Sequence, residues 1–255
     1  MKPGYELEFE DTFEGDELDT SRWLRHYLPH WGTRARTEAR YTIGGGALRL
    51  RIDEDTEPWC PEFDGDVRAS VLQTGQFSGP AGSSVGQLPF TDGLVVREEQ
   101  ENARLYTPHH GYFEIRSRAL DDPTNMVALW MMGYNDTPER SGEILIMEIF
   151  GRDVGRGHAR VGMGVRPFTD PALDDGFSAE RLPIDAREFH VYAAEWMPDR
   201  VDFFVDGEHV KTVHQAPAYP LQFMLAIYEF RGPGSGPYPK EFVVDYVRGY
   251  RRVAE

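Results

Sequence analysis

The stretch Ser141-Gly142-Glu143-Ile144-Leu145-Ile146-Met147-Glu148-Ile149-Phe150-Gly151 is apolar between its ends except for two glutamates. Its length and β-branched content read as a buried strand. Each unpaired carboxylate in such a strand is costly, so the pair needs a reason to be there. In a regular strand, five steps of ~3.3 Å put the two Cα atoms ~16 Å apart and on opposite faces. One extra residue in a β-bulge, at Ile146 or Met147, restores a shared face with Leu145 between the glutamates. The separation then falls to about 13 Å, and inward-leaning side chains can close it to the ~5–5.5 Å that a retaining glycosidase needs. The competing reading is an ordinary structural network in which both glutamates pair with arginines.

Working outward, short alternation recurs on both sides of this strand. Leu48, Leu50 and Ile52 alternate with Arg49 and Arg51. Phe113 and Ile115 alternate with Tyr112, Glu114 and Arg116, and Val201, Phe203 and Val205 alternate with Asp202 and Phe204. A β-rich run from Val243 to Tyr250 ends the chain. Gly44-Gly45-Gly46 and Pro-Gly-Ser-Gly-Pro at 233–237 mark loops, and Asp206-Gly207 marks a hairpin. Residues 53–93 are polar and rich in Gly, Ser and Pro, with only Val67 to Thr74 reading as strand. Such a long excursion is often functional. Pro167 to Pro183 reads as a loop with one helical turn. With almost no helical period and no composition break, residues 1–255 are expected to form one all-β domain, a β-sandwich jelly roll of two antiparallel sheets.

Composition narrows the function classes. Of 255 residues, 40% are hydrophobic and 13% aromatic, enough for a core. The 43 acidic against 27 basic residues give a formal charge of −16, a field that repels a phosphate backbone, so no nucleic-acid partner is expected. No apolar run is long enough to span a bilayer or serve as a signal, so no membrane partner is expected either. The location is left open between cytoplasmic and, if a signal was removed, secreted. The single Cys60 forms no intrachain disulfide and carries no signature of a nucleophile. No phosphate loop or metal-ligand spacing is visible.

The segment Glu143-Ile144-Leu145-Ile146-Met147-Glu148 resembles the active-site strand of glycoside hydrolase family 16, the laminarinase, lichenase and agarase family, whose signature is E-x-D-x-x-E. Phe9-Glu10-Asp11-Thr12-Phe13 with Leu18 to Trp23, Tyr112 to Arg116, Phe189 to Trp196 with Val205-Asp206-Gly207, and Val244 to Arg248 resemble further family strands in order and spacing. The resemblance implies a concave sheet forming an open cleft, with Glu143 as nucleophile and Glu148 as general acid/base. It implies a polysaccharide or oligosaccharide substrate cut at internal β-linkages, a β-glucan first, with no cofactor required. A monomer is expected. Three positions depart from the pattern. The middle aspartate is Leu145, whose burial of its neighbours should raise both carboxyl pKa values. No histidine stands at Val161-Gly162-Met163-Gly164, and Met126 stands near the first of two cleft tryptophans, the second being Trp130. Because of Leu145, a catalytically weak, lectin-like glycan binder is the alternative.

Sugar rings stack on aromatics and need polar partners for their hydroxyls. Trp31 and Trp59, in loop-like segments, and Trp130, one strand before the glutamates, are candidates to line the cleft. Gln73, His190, Tyr228 and Glu229 are the polar candidates. Glu229 could replace the carboxyl missing at Leu145 or pair with Arg231. Asp245 matches the family's closing-strand aspartate, which implies a possible structural calcium on the convex side.

Overall fold

In a computed structural model of the chain, residues 2–232 and 236–253 are described. The first half of the chain holds β1 (Tyr5–Asp11), β2 (Arg40–Ile43), β3 (Leu48–Ile52), β4 (Arg68–Gln73), β5 (Gly75–Gln76), β6 (Ala103–Arg104) and β7 (Gly111–Arg118). β8 (Asn125–Gly133), β9 (Glu143–Phe150), β10 (Val154–Gly155), β11 (His158–Arg166) and β12 (Ser178–Leu182) follow. The last strands are β13 (His190–Trp196), β14 (Val201–Val205), β15 (Glu208–Val213), β16 (Leu221–Glu229) and β17 (Lys240–Arg252). Two short helices, α1 (Arg34–Thr37) and α2 (Pro61–Asp64), lie in the early loops.

Among the described residues the strands form two antiparallel sheets. One runs β15-β14-β13-β7-β17-β3-β2, with β1 also on β17, and the other runs β10-β11-β9-β8-β16-β4, with β12 on β11. This is the jelly-roll sandwich that the alternation predicts. The core between the sheets takes the inward residues of both, among them Phe113, Ile115, Tyr192 and Phe203 from one and Val127, Leu129, Ile144, Ile149, Phe223 and Leu225 from the other. Period-2 patterning maps directly onto it: β3 and β14 each alternate buried and half-buried residues along their length. Asp206 and Gly207 both have positive φ (50° and 82°), as a tight hairpin between β14 and β15 demands.

One loop expectation needs correction. Pro167 to Pro183 contains no helical turn; Ser178–Leu182 pairs with β11 as an edge strand. Part of the loop at 233–237, residues 233–235, lies outside the described residues.

The outer, concave face of the second sheet carries its own apolar cluster. Ala69, Val71, Ala128, Trp130, Met132, Leu145, Met224 and Ala226 meet Tyr27, Leu28, Trp31, Trp59, Leu88, Leu94 and Val96 from the loops. Residues 27–31, 59–63 and 87–96 thus roof the face over β4 and β16. The roof is tied down by polar bonds: Trp31 Nε1 donates to the carbonyls of Gln87 (2.7 Å) and Leu88 (3.1 Å), and the Leu88 N–H donates to Asn135 Oδ1 (3.2 Å). What stays open is the face over β8, β9 and β11.

Candidate active site

The parity problem of the glutamates is solved by a bulge. On β8, Trp130 faces Leu145 while its neighbour Leu129 faces Met147, so Ile146 is the extra residue of β9. On β11 the same irregularity falls between Gly162, opposite Glu148, and Gly164, opposite Leu145. Ile146 and Met147 both turn into the core between the sheets. Glu143, Leu145 and Glu148 therefore share the concave face, and all three line one cavity of about 230 Å³. Tyr27, Asp64, Trp130, Arg166, Tyr228 and Phe230 are among its other walls.

Burial dominates the electrostatics of the pair. Glu143 is buried, and loss of water pushes its carboxyl from the usual 4.5 up to about 7; Arg166 pulls it down, while Glu148 and Asp175 push it further up. Glu148 is more open, yet desolvation also raises its pKa, against Arg166 and Arg152. Leu145, 3% exposed, is the apolar floor between them. Burial thus favours the protonated form of both carboxyls, which suits a general acid and works against a nucleophile.

The wall beside the roof is a phenol pair. The Tyr27 and Tyr228 rings meet edge-on with centroids 5.6 Å apart, and both hydroxyls are held far from ionisation by burial. Behind them, Trp59 Nε1 donates to Asp64 Oδ2 at 2.6 Å, and burial raises the Asp64 carboxyl. The opposite wall is built by absence of side chains. A Cβ at Gly162 would lie 2.6 Å from Cζ of Phe177, and one at Gly164, where φ is +149°, would lie 2.6 Å from the Phe177 Cα. The two glycines admit the Phe177 ring from the 167–177 loop, and the Arg166 guanidinium stacks on it at 3.8 Å.

Comparison with known proteins places the fold in a family. Residues 100–229, half of the chain, match the sequence profile of glycosyl hydrolases family 16. The chain belongs to this family. Among relatives, a β-glucanase of Rhodothermus marinus is 28% identical over 98% of this chain and 87% of its own length. The glucan endo-1,3-β-glucosidase A1 of Niallia circulans is 23% identical over 97% of this chain. A GlcNAcα1-4Gal-releasing endo-β-galactosidase from Clostridium perfringens superposes with a TM-score of 0.84 at 31% identity, covering 99% of this chain. The chain spans 64% of that galactosidase and 38% of the Niallia enzyme.

Within this family 16 fold, the sequence candidates separate into three groups. Glu143, Glu148, Trp130 and Tyr228 come together at the cavity. Trp31 and Trp59 do not reach it: they are 0% and 1% exposed and form the inside of the roof, because large rings in a loop found an apolar sheet face to cover. Gln73 lies beneath the same roof, fully buried, with neither amide atom hydrogen-bonded.

The third group belongs elsewhere. His190 is on β13, in the other sheet, with Nδ1 2.6 Å from Asp206 Oδ2 and Nε2 3.1 Å from the Asp185 carbonyl. Glu229 neither replaces the missing carboxyl nor pairs with Arg231. It accepts from Arg68 (3.0 Å) and the Tyr238 hydroxyl (3.0 Å), in a neighbouring polar hollow that meets the cavity at Phe230. Asp245 is engaged by Arg116, and no group of three or more acidic, His or Cys side chains suited to a metal occurs among the described residues. Sequence reasoning missed Tyr27, Asp64, Arg166 and Phe177. For the last two a signal existed: glycines at alternate positions of β11 mark a strand face that something approaches closely.

Proposed function

We propose that the protein is a retaining glycosidase that cuts internal β-linkages of a polysaccharide, with β-glucan as the first substrate class. The observation that carries this reading is the bulge at Ile146, which brings Glu143 and Glu148 to one cavity wall. Glu143 attacks the anomeric carbon as the bond to the leaving oxygen breaks, and Glu148 delivers its proton to that oxygen. Water then enters, Glu148 takes its proton, and the glycosyl–Glu143 ester is hydrolysed with net retention. Trp130 and Tyr228 give the sugar an apolar face and a hydroxyl partner.

Substrate class follows the relatives' names in two directions. The β-glucanase relatives support a glucan. The endo-β-galactosidase, which shares more of this chain's shape, supports a β-galactoside. The weakly active, lectin-like reading also has an observation behind it. A Glu143 carboxyl titrating at about 7 is mostly neutral in mild acid, and a neutral carboxyl is no nucleophile.

The deciding experiment measures reducing ends released from laminarin, mixed-linkage β-glucan, cellulose oligomers and agar-type galactan. Glu143→Gln and Glu148→Gln run alongside, and proton NMR identifies the first-formed anomer. Release of the β-anomer that either substitution abolishes supports the proposal. Release that survives both substitutions refutes it. Glycan binding with no release assigns the protein to the lectin-like class.

A further inference from the structure

We propose that Arg166 is a positioning residue of this site: its guanidinium is the counter-charge that the two buried glutamates share, held in place by the ring of Phe177. The inference rests on the proposed role of the glutamates but is testable without turnover.

The geometry starts from the bulged ladder. Arg166 stands directly opposite Glu143 across the β9–β11 pair, and its neighbour Val165 points into the core, so Arg166 lies on the concave face. It lines the same cavity as Glu143 and Glu148. No carboxylate lies within 4.0 Å of it among the described residues, although most arginines here are closely paired, as Arg68, Arg187 and Arg248 are. In a chain of formal charge −16, this arginine keeps its charge out of a close ion pair while lining the cavity with both glutamates.

What fixes it is unusual in its construction. Gly162 and Gly164 clear the outer face of β11, Phe177 fills that space, and the guanidinium lies on the ring at 3.8 Å. A guanidinium stacked on a ring keeps its donors free at its edge, whereas one in a bidentate pair has spent them. With Leu145 unable to hydrogen-bond, Arg166 is the cation that acts on both carboxyl groups; Arg152 acts on Glu148 alone. The other groups facing Glu143 oppose ionisation or are neutral. They are Glu148 on its own strand, Asp175 from the loop beyond β11, the phenols of Tyr27 and Tyr228, and Asp64.

The test is a side-chain carboxyl NMR titration of ¹³C-glutamate-labelled protein, with the Glu143 signal assigned by its loss in Glu143→Gln. Arg166→Gln should move the Glu143 midpoint upward by about one pH unit or more, the size expected for losing a nearby opposite charge. Arg166→Lys should keep the charge but lose the planar stack and restore part of the shift. Phe177→Leu, which leaves Arg166 in place but removes its platform, should give a smaller upward shift. If turnover exists, the acid limb of kcat/KM moves with the midpoint while KM changes little. A Glu143 midpoint that stays within 0.3 of a pH unit in folded Arg166→Gln, on the scale of the one-unit shift expected, overturns the inference. A protein that shows the shifts yet cuts no polysaccharide sinks the proposed activity and leaves Arg166 as the counter-charge.

Discussion

Glu143→Gln should make this protein more stable at alkaline pH than its parent, and the gain should disappear in acid. Glu143 is 9% exposed and its carboxyl is raised from 4.5 to about 7, so the folded state holds a proton that the unfolded chain releases. Between those two values folding takes up a proton, and stability falls as pH rises. At about 1.4 kcal/mol per pH unit the total comes to about 3 kcal/mol, fully present below pH 4.5 and lost above pH 7. Glutamine removes the titration and keeps the shape. Its amide carries a pH-independent cost of its own, so the informative quantity is the change with pH in the stability difference between the two proteins. Urea unfolding at pH 4.5, 6 and 8 should show that difference growing by about 3 kcal/mol in favour of the variant. A difference constant across the range would mean that Glu143 titrates normally in the fold. One that shrinks toward pH 8 would mean that a cation holds it ionised, which reverses the order of the effects named above.

Gln73→Leu should stabilise the protein by about 1–3 kcal/mol, since both amide atoms are buried without partners, and leave KM for any substrate unchanged; a raised KM returns Gln73 to the cleft. Trp59→Ala should cost about 3–5 kcal/mol by emptying the roof, read by thermal or urea unfolding, and a loss below 1 kcal/mol would mean that the ring is not packed as described. Cys60, buried and with its thiol pushed up to about 11, should resist a thiol reagent at pH 8 until the protein unfolds; immediate labelling contradicts its place under the roof. Chelation with EDTA should leave the melting temperature unchanged, because Asp245 already has Arg116 as its partner, and a fall of several degrees would favour the calcium reading.

The fold was legible because its information is local. Alternation at period 2 along Leu48–Ile52 and Val201–Val205 states which side of each strand is wet, and that suffices to define a sandwich. The candidate glutamate pair was legible for a related reason. Two acids five residues apart in an apolar strand agree with one shared face only through a bulge, and the bulge is where parity required it. The cleft walls were not legible, because they depend on which loop lies over which strand. Trp31 and Trp59 look exposed in their loop-like segments, yet those segments fold over the sheet and use the rings as a core of their own. Asp64 reaches the cavity from a four-residue helix that nothing in the sequence singles out.

Leu145 shows how the two kinds of information combine. Taken from the strand alone, it removes a polar group from between two acids and argues against turnover. The sheet supplies what the strand lacks: the same ladder that aligns Leu145 with Gly164 aligns Glu143 with Arg166, one concave-face position along β11. The glycines that leave the expected histidine position empty are also what admit Phe177, and Phe177 carries the guanidinium. The departures from the family pattern on β9 and β11 are therefore coupled through one side-chain stack. If so, restoring a carboxyl alone by Leu145→Asp should not raise activity. It would add a third acid beside two already resisting ionisation, with one cation to serve all three, and it should push the acid limb of the pH–rate profile further up. An acid limb that instead moves down, with faster turnover, would show that the chain lacks only the carboxyl and that Arg166 does not stand in for it.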